Sequence, residues 1–444
     1  MKIQLSDHFT YKKLFRFTLP SIAMMVFTSI YGVVDGLFVS NFVGETPFAA
    51  VNFIMPFIMI LGAFGYMFGT GGSALVSKTM GEGDKEKANG LFSMITYVSI
   101  GVGVVIAILG VIFVRPIAIL LGAGEEMLDD CVLYGRILLA AMPVYMLQQE
   151  FQSFFVTAEK PQMGFITMVI AGCTNMVLDA LFVAVFHWGV AGAAVATIIS
   201  QAVGGLVPVA YFLRENDSLL RLSKPIFDGK ALMKTCTNGS SELMSNAAMS
   251  LVGLLYNAQL MKYAGQSGVA AYGVMMYVSM IFAAIFLGYT VGTAPIIGYH
   301  YGAGNTEELK STLKKSLVII LSTSVLMFAL GEALAYPLAY VFMSKSPDVL
   351  ALTVHGFRFF SFQFLFCGVA IYGSGFFTAL NNGLVSALIS FLRTLIFQVI
   401  AITFLPLIWT PATDGIWLSI AVAEVFAAVL TSWFLIAYRK KYGY

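Results

Sequence analysis

Twelve long apolar runs restrict the fold of this chain more than any other feature of its sequence. The runs lie at about 14–40, 47–77, 91–114, 131–158, 164–186, 190–213, 234–261, 268–299, 312–335, 350–380, 384–408 and 415–438. A helix needs roughly 20 apolar residues to cross a bilayer, and each run is long enough. Their continuity makes a membrane barrel a weak alternative, because the strands of a barrel alternate apolar and polar residues. With 59% hydrophobic and 11% charged residues, a soluble protein is excluded as well. We therefore expect an all-α integral membrane protein with twelve transmembrane helices.

The distribution of lysine and arginine predicts the orientation of these spans. Twelve crossings place both chain termini on one side of the membrane. Six basic residues do not lie on the side of the termini. Five are at the opposite ends of the spans and one is inside a span: Arg115, Arg136, Lys262, Lys345 and Arg358, and Arg393. The remaining 19 of the 25 basic residues lie on the side of the termini. Because basic residues are retained in the cytoplasm, we expect cytoplasmic termini in a plasma or inner membrane.

An internal repeat with an offset of 221 residues divides the chain into two halves. VGETPFAAV at 43–51 aligns with AGQSGVAAY at 264–272, and GEGDKEK at 81–87 aligns with GAGNTEE at 302–308. Six helices per half give both halves the same orientation, related by a pseudo-twofold axis along the membrane normal. We expect an N-terminal lobe of residues 1–220 and a C-terminal lobe of residues 221–444. This build is typical of alternating-access transporters rather than of channels.

Three polar residues within the spans of the first half align with residues of the second half that carry neither a carboxyl nor an amide side chain. Asp35, Asn175 and Asp179 align at offset 221 with a tyrosine and two isoleucines. A buried acid costs about 2.5–3.5 kcal/mol on insertion scales, so such residues are usually functional. Asn175 and Asp179 are four residues apart and share a helix face. Two carboxyl groups with nearby amide and hydroxyl oxygens can hold either a proton or Na⁺.

At these positions the sequence resembles the multidrug and toxic compound extrusion (MATE) transporters over essentially its whole length. Pro20, Asp35 and the run GLFVSNFVG are similar to the first helix of that family. The run NMVLDALFV, with Asn175 and Asp179, is similar to the fifth helix, and GVAGAAVATIISQ, with Thr197, to the sixth. The pattern Asp, Asn, Asp, Thr resembles the archaeal and DinF-like branch.

The resemblance implies a V-shaped pair of lobes that exports lipophilic organic cations, including drugs and dyes, in exchange for H⁺ or Na⁺. The cation-coupling group would be Asp35, Asn175, Asp179 and Thr197, with Pro20 as a hinge in the first helix. No cofactor is implied. Another branch uses acids in the seventh and tenth helices, but the tenth span here contains no acid, and Glu242 only roughly matches the seventh-helix position.

A cavity for lipophilic cations is expected to combine flexible thioethers, aromatic faces and a few acids. In the eighth span, Tyr272, Met276 and Met280 share a helix face and are the best local group of this kind. Glu150 and Glu242 are the acids that we assign to the same cavity.

Further charged residues within the spans allow either a functional or a structural interpretation. Glu332 and Glu424 could line a transport route or be paired within the helix bundle. For Arg393, the distance from the start of its span favours a side chain that extends to the cytoplasmic edge of the membrane over one paired with a buried acid.

Several functional classes are excluded or disfavoured. Without HExxH, GxSxG or Walker A motifs, we expect neither an enzyme nor a nucleotide-driven pump. A net charge of +2 gives no reason to expect a nucleic-acid partner. The four cysteines are isolated, and no metal-ligand spacing occurs. The chain is expected to act as a monomer in the lipid bilayer. A lipid-linked saccharide flippase and a small-molecule symporter of similar build remain alternatives.

Overall fold

The structure, a computed structural model, describes residues 3–43, 45–343 and 346–444, and within these ranges it leaves out the side chains at 33, 35–41, 45, 48 and 342. The described residues form fourteen α-helices and two short π-helical segments, with no β-strand. The helices are α1 Tyr11–Phe42, α2 Glu45–Gly81, α3 Lys85–Leu121, α4 Glu125–Ala140, α5 Met142–Thr157, α6 Pro161–Asp179, α7 Gly189–Leu213, α8 Gly229–Gly302, α9 Thr306–Met343, α10 Pro347–Ser361, α11 Phe364–Ala379, α12 Gly383–Phe391, α13 Phe397–Ile408 and α14 Ala412–Tyr442. The π-helical segments are Ala180–Val185 and Leu392–Ile396.

The helix α8 is two membrane spans joined by a sharp bend. At 1.5 Å per residue its 74 residues would extend about 110 Å, far more than a bilayer of about 30 Å. The bend lies at Gly265, where φ is 63° and ψ is −157°, a backbone conformation that favours glycine. We call residues 229–264 the first arm and residues 266–302 the second arm.

With α8 counted as two spans, the described residues give twelve membrane crossings. Nine helices are long and apolar enough to cross, and two bent helix pairs, α4 with α5 and α10 with α11, add one crossing each. The bend in α8 supplies the twelfth. These long apolar helices confirm the predicted all-α membrane fold. Both chain ends lie on one side, which we call the terminal side.

The 221-residue repeat recurs in the positions of the helices. The break between α4 and α5 falls at Ala141, and the break between α10 and α11 begins at Phe362, 221 residues later. The two pairs bend by 59° and 50°. The sequence alignment predicts the repeat, but neither bend was visible as an interruption of the apolar runs.

Each lobe has its own apolar core, yet the segment preceding each lobe packs against the other lobe. Leu5, Phe9 and Phe17 belong to the core of the second lobe. Conversely, Leu220 and Leu222 belong to the core of the first lobe. The segment 3–10, which we call the N-terminal strap, and the linker before α8 therefore cross between the lobes in opposite directions.

The two lobes approach most closely through glycines on the terminal side. A Cβ atom on Gly81 would lie 2.0 Å from the carbonyl oxygen of Tyr299. A Cβ on Gly302 would lie 2.0 Å from the carbonyl oxygen of Lys78. The two contacts are equivalent at offset 221, so a pseudo-twofold axis passes between α2 and the second arm. We call these two contacts the glycine seam.

Candidate functional site

The close glycine contacts between the lobes lie in the terminal half of the helices. Among the described glycines, the close contacts between lobes involve α1 at about residues 18–22, α2 from about residue 67 onward, the start of the first arm and the second arm from about residue 288. In contrast, a Cβ added to Gly32, in α1, or to its repeat equivalent Gly253, in the first arm, would meet nothing within 4 Å. A cleft between the lobes therefore closes at the terminal side.

Asn175 and Asp179 lie together on one buried face of α6, as their spacing predicts. Asn175 is 2% exposed and Asp179 is fully buried. Neither the amide nitrogen nor the amide oxygen of Asn175 has a hydrogen-bond partner among the described residues. Because an unpaired buried amide is costly, the site has unused capacity for hydrogen bonds or for a coordinated ion.

Asp179 is the last residue of α6, and the chain continues into the π-helical segment Ala180–Val185. A π-helical turn widens the helix, and such turns occur frequently at functional sites. The segment is followed by His187 and Gly189, whose φ angles are 55° and 59°. The carboxyl group of Asp179 is thus held at a local irregularity of the helix.

Thr197 lies level with Asn175 on the neighbouring helix α7. The register is set by Ser200, whose hydroxyl donates to the carbonyl oxygen of Ala171 at 2.8 Å. The helices α6 and α7 are antiparallel. Thr197 is three residues before Ser200 and Asn175 is four residues after Ala171, so Thr197 and Asn175 lie at about the same height. The hydroxyl of Thr197 donates to the carbonyl oxygen of Ala193 at 3.0 Å, which leaves its oxygen able to accept or coordinate.

The side chain of Asp35 lies outside the described part of the structure, but its helix is placed. Phe27 and Tyr31 of α1 pack over Gly172 of α6, where an added Cβ would lie 2.6 Å from the Phe27 ring. Both helices run away from the terminal side. Position 35 is one turn beyond Tyr31, and so falls level with the last turn of α6, which carries Asp179.

Pro20 lies in α1 between two residues that contact the second lobe. A Cβ on Gly292 would lie 3.0 Å from Thr18, and a Cβ on Gly288 would lie 2.8 Å from the carbonyl oxygen of Ser21. Proline cannot donate the backbone hydrogen bond of a regular helix. The weakened turn therefore lies within the part of α1 that packs on the second lobe, because Thr18 before Pro20 and Ser21 after it both contact that lobe.

Glu150 is buried inside the first lobe. It accepts a hydrogen bond from the hydroxyl of Thr96 on α3 at 3.0 Å. Its backbone packs against α2, where a Cβ on Gly69 would lie 2.9 Å from the Cα of Glu150. Sequence reasoning missed its neighbours Gln149 and Gln152, which are also buried and hydrogen-bonded to each other at 2.5 Å. The run QQEFQ was the available signal.

In the second lobe, Arg393 is paired with Glu424. The Nε atom of Arg393 donates to both carboxylate oxygens of Glu424, at 2.9 and 2.8 Å. The favoured interpretation, an Arg393 side chain that extends to the membrane edge, is therefore wrong. Its helix is wound as a π-helix at 392–396, and Glu424 on α14 lies close enough to satisfy the charge.

The remaining predicted cavity residues lie in different environments. Tyr272 is buried and stacks on Tyr256 with the ring centres 5.3 Å apart and the planes at 8°. Met276 is half-buried, and Met280 is 42% exposed. Glu242, on the first arm, is also half-buried. Tyr272 thus belongs to the core of the second lobe.

Glu332 of α9 accepts a short hydrogen bond from the hydroxyl of Ser361 at the end of α10. This contact joins two helices of the second lobe, and both helices lie away from α6. The structural interpretation of Glu332 therefore has a defined partner.

A polytopic membrane protein of two pseudo-symmetric six-helix lobes, closed at one end of the cleft between them, is built as a transporter. The MatE family profile matches residues 20–181 and 243–403. The chain therefore belongs to the MatE family, the MATE transporters that its motifs resemble. Membership confirms that it is not an enzyme, and members of this family need no cofactor.

Curated relatives and solved structures are similar over nearly the whole chain. The multidrug export protein MepA of Staphylococcus haemolyticus is 26% identical over 432 residues, which cover 97% of this chain and 94% of the relative. MepA of Staphylococcus saprophyticus is 24% identical, covering 94% and 92%. A structure of MATE in complex with MaL6 has a TM-score of 0.93 at 22% identity, covering 98% of both chains. An outward-facing MATE family transporter has a TM-score of 0.92 at 23% identity, covering 98% and 97%.

Proposed function

We propose that this chain is a secondary active efflux antiporter that exports lipophilic organic cations in exchange for H⁺ or Na⁺. Its family membership and the multidrug export proteins among its relatives support efflux of drugs and dyes. The observation that carries the proposal is the buried pair Asn175 and Asp179 beside Thr197, polar groups that the first lobe has and the second lobe lacks.

The coupling site of this proposal consists of Asp35, Asn175, Asp179 and Thr197. The register of α1, α6 and α7 supports their convergence at one depth. A carboxylate with amide and hydroxyl oxygens can bind Na⁺ through oxygen, and the same carboxylate can take up a proton. In either case the arriving cation neutralises the charge of the group, which changes how α1 packs on α6.

Pro20 is the proposed hinge for that change. Thr18 and Ser21, on the two sides of Pro20, contact the second lobe, while Phe27 and Tyr31 further along α1 pack on α6. A movement of α6 relative to the second lobe therefore has to bend α1 or shift it on the second lobe, and the turn at Pro20 lacks a backbone hydrogen bond that would resist bending. A Pro20→Ala variant should restore a regular helix and slow efflux, and an unchanged rate would contradict the hinge.

The terminal side is proposed to be cytoplasmic, in a plasma or inner membrane. The distribution of basic residues supports this orientation. The cleft, closed at the terminal side, would then open to the outside, and the chain would be in its outward-facing state. We propose 1–220 and 221–444 as the two lobes, acting in one monomer. The matched family segments begin at 20 and 243, a spacing close to the repeat.

A flippase for lipid-linked saccharides is disfavoured by the pairing of Arg393. A pyrophosphate needs several unpaired basic groups in the cavity. Arg393 is the basic residue well inside a span, and its charge is balanced by Glu424.

The proposal is tested in proteoliposomes loaded with a fluorescent cationic dye. Efflux is compared under an imposed pH gradient and an imposed Na⁺ gradient, which identifies the coupling ion. Asp179→Asn and Asp35→Asn should abolish gradient-driven efflux, whereas the control Glu332→Gln removes an acid of the second lobe and should leave it intact. Near-normal coupled efflux in both Asp variants would refute the coupling site, and dye uptake with the ion would support a symporter.

A further inference from the structure

A cavity at the surface of the second lobe has no part in the coupling site. It lies between the end of α9 and the helix α10, and its volume is about 390 Å³. The aliphatic side chains that line it are Leu350, Ala351 and Val354, and the polar ones are Tyr336, His355 and Arg358. Among the described residues, no carboxyl group lines this cavity. It therefore combines an aliphatic lining with basic groups.

The cavity lies at the boundary of the membrane on the far side, opposite the terminal side. Lys315 of α9 marks the terminal side, because its Nζ atom donates to the carbonyl oxygen of Phe9 in the N-terminal strap at 2.6 Å. Tyr336 is 21 residues further along α9, which is about 32 Å and close to the hydrocarbon thickness of about 30 Å. Its side chain is 56% exposed and stacks on Tyr340, and tyrosines are enriched at this boundary.

Arg358 lies at the same height as Tyr336. The hydroxyl of Ser361 donates to the carboxylate of Glu332, which sets the register of the antiparallel helices α9 and α10. Arg358 is three residues before Ser361, and Tyr336 is four residues after Glu332. The helix α10 begins on the far side, and side chains on a helix point toward its N-terminus. The guanidinium group of Arg358 therefore extends toward the lipid headgroups.

The charge of Arg358 is not balanced by any residue that the structure describes. Its side chain is exposed and takes part in none of the ion pairs. Glu332, the nearest acid on α9, is bonded to Ser361. Asp414 of α14 is buried and bonded to the Nε2 atom of His355 at 2.9 Å. The guanidinium group of Arg358 is therefore available to an anion.

We propose that this cavity binds the phosphate of an anionic phospholipid, such as phosphatidylglycerol, from the leaflet on the far side. The planar guanidinium group of Arg358 donates two parallel hydrogen bonds to the phosphate. The aliphatic lining contacts the glycerol carbons of the lipid, and the acyl chains continue into the bilayer along α9, where Val325, Leu326 and Leu334 are exposed. The inference does not depend on the proposed efflux activity.

Two properties of the cavity favour a lipid over a soluble anion. Its lining is largely aliphatic, so a hydrated ion such as inorganic phosphate would lose water without regaining all of its hydrogen bonds. Its height also matches that of the lipid headgroups. An anionic headgroup is favoured over a zwitterionic one, because an unbalanced cation faces the cavity and no carboxylate of the described residues lines it to hold an ammonium group.

The test measures the dissociation constant of the first lipid bound to the purified full chain by native mass spectrometry. Phosphatidylglycerol and phosphatidylcholine are the probes. The unmodified chain should prefer phosphatidylglycerol by about tenfold, as expected for one charge-assisted contact at an exposed site. Arg358→Gln should abolish this preference.

Arg136→Gln is the matched control. Arg136 is exposed on α4, the equivalent of α10 in the first lobe, and it does not line the cavity. It lies eleven residues after the start of α4, as Arg358 does in α10. This variant should keep the preference for phosphatidylglycerol, since it removes the same charge on the same side of the membrane but away from the cavity.

Ala351→Trp provides a second route, because it fills the cavity and keeps the charge of Arg358. Position 351 is exposed, so the larger side chain does not disturb the core, and the preference should again be lost. Equal affinities of the unmodified chain for the two lipids, an equal loss in the Arg358 and Arg136 variants, or an unchanged preference in Ala351→Trp would overturn the inference. Displacement by glycerol 3-phosphate at the concentrations at which the lipid binds would overturn the assignment to a lipid.

Discussion

The glycine seam makes a quantitative prediction about the balance between the two conformations. In Gly81→Ala the new Cβ would lie 2.0 Å from the carbonyl oxygen of Tyr299, whereas ordinary contact begins at 3.4 Å. The backbone of the second arm cannot rotate away as a side chain could. Each substitution at the seam therefore requires α2 and the second arm to separate by about 1.4 Å on the terminal side.

The expected cost is that of overpacking a close contact, about 1–3 kcal/mol. Alanine also has a better helix propensity than glycine by about 1 kcal/mol, but this gain is present in every conformation in which the helices remain intact. It therefore raises the free energy of unfolding without changing the balance between conformations. The seam substitution should shift that balance away from the closed terminal side by about 5- to 150-fold.

The shift can be measured as a distance between spin labels at Glu86 and Glu307. These exposed positions begin α3 and α9 and are equivalent at offset 221. The four native cysteines are replaced first. Gly81→Ala should add a population with a longer distance between the labels, and Gly302→Ala should do the same because its contact is the symmetry equivalent.

Gly253→Ala is the matched control, since its added Cβ meets nothing within 4 Å. It should leave the distance distribution unchanged. If the two seam variants also keep the distribution of the unmodified chain, the close contact does not hold the terminal side closed, and the reasoning is refuted.

Two further contacts on the terminal side give predictions of their own. Glu308 accepts a hydrogen bond from the backbone nitrogen of Phe9 at 2.8 Å. Glu308→Gln should weaken this charge-assisted bond by about 1–3 kcal/mol and speed hydrogen exchange of the Phe9 amide. Unchanged exchange would show that the N-terminal strap is held by other contacts. Asn381 donates to the carbonyl oxygen of Ala74 at 3.0 Å and accepts from Asn238 at 2.7 Å. Asn381→Ala should leave these buried partners unpaired and lower the free energy of unfolding by about 2–4 kcal/mol. A melting temperature equal to that of the unmodified chain would contradict this.

Most of the fold could be predicted because its determinants are local or periodic. Span length follows from hydrophobic runs, and the repeat follows from residue identities at a fixed offset. The bends at Ala141 and Phe362 could not be predicted in this way. Both lie inside apolar runs, where a change of helix direction leaves the hydropathy unaltered.

The placement of Asn175 and Asp179 on one face was predictable for the same reason, since a spacing of four residues is a local property of a helix. The group Tyr272, Met276 and Met280 shows the limit of that rule. Each step of four residues rotates by about 40° around the helix, so two steps give about 80°. That rotation is enough to take the face from the buried Tyr272 to the exposed Met280.

The pairing of Arg393 with Glu424 could not be predicted from local pattern. The two residues are 31 positions apart on different helices, and their contact depends on how α12, α13 and α14 pack. The distance from the start of a span carries no information about such a partner. A buried charge inside a span indicates that a partner exists, but the fold decides which residue it is.

The two lobes share the features of the scaffold but not the buried charges. The seam glycines and the helix bends recur at offset 221, as a scaffold that rocks about a twofold axis requires. The buried charges do not recur. Asp179 directly precedes one π-helical segment, and Arg393 lies inside the other.

These two π-helical segments are not symmetry equivalents, because residue 180 corresponds to residue 401 rather than to 392. An extra residue in a helical turn that belonged to the scaffold would be expected at the same place in both lobes. Each segment instead occurs where its own lobe carries a buried charge, which indicates that the wider turn directs that side chain. The symmetric parts thus form the scaffold, and the local departures from symmetry position the buried charge of each lobe.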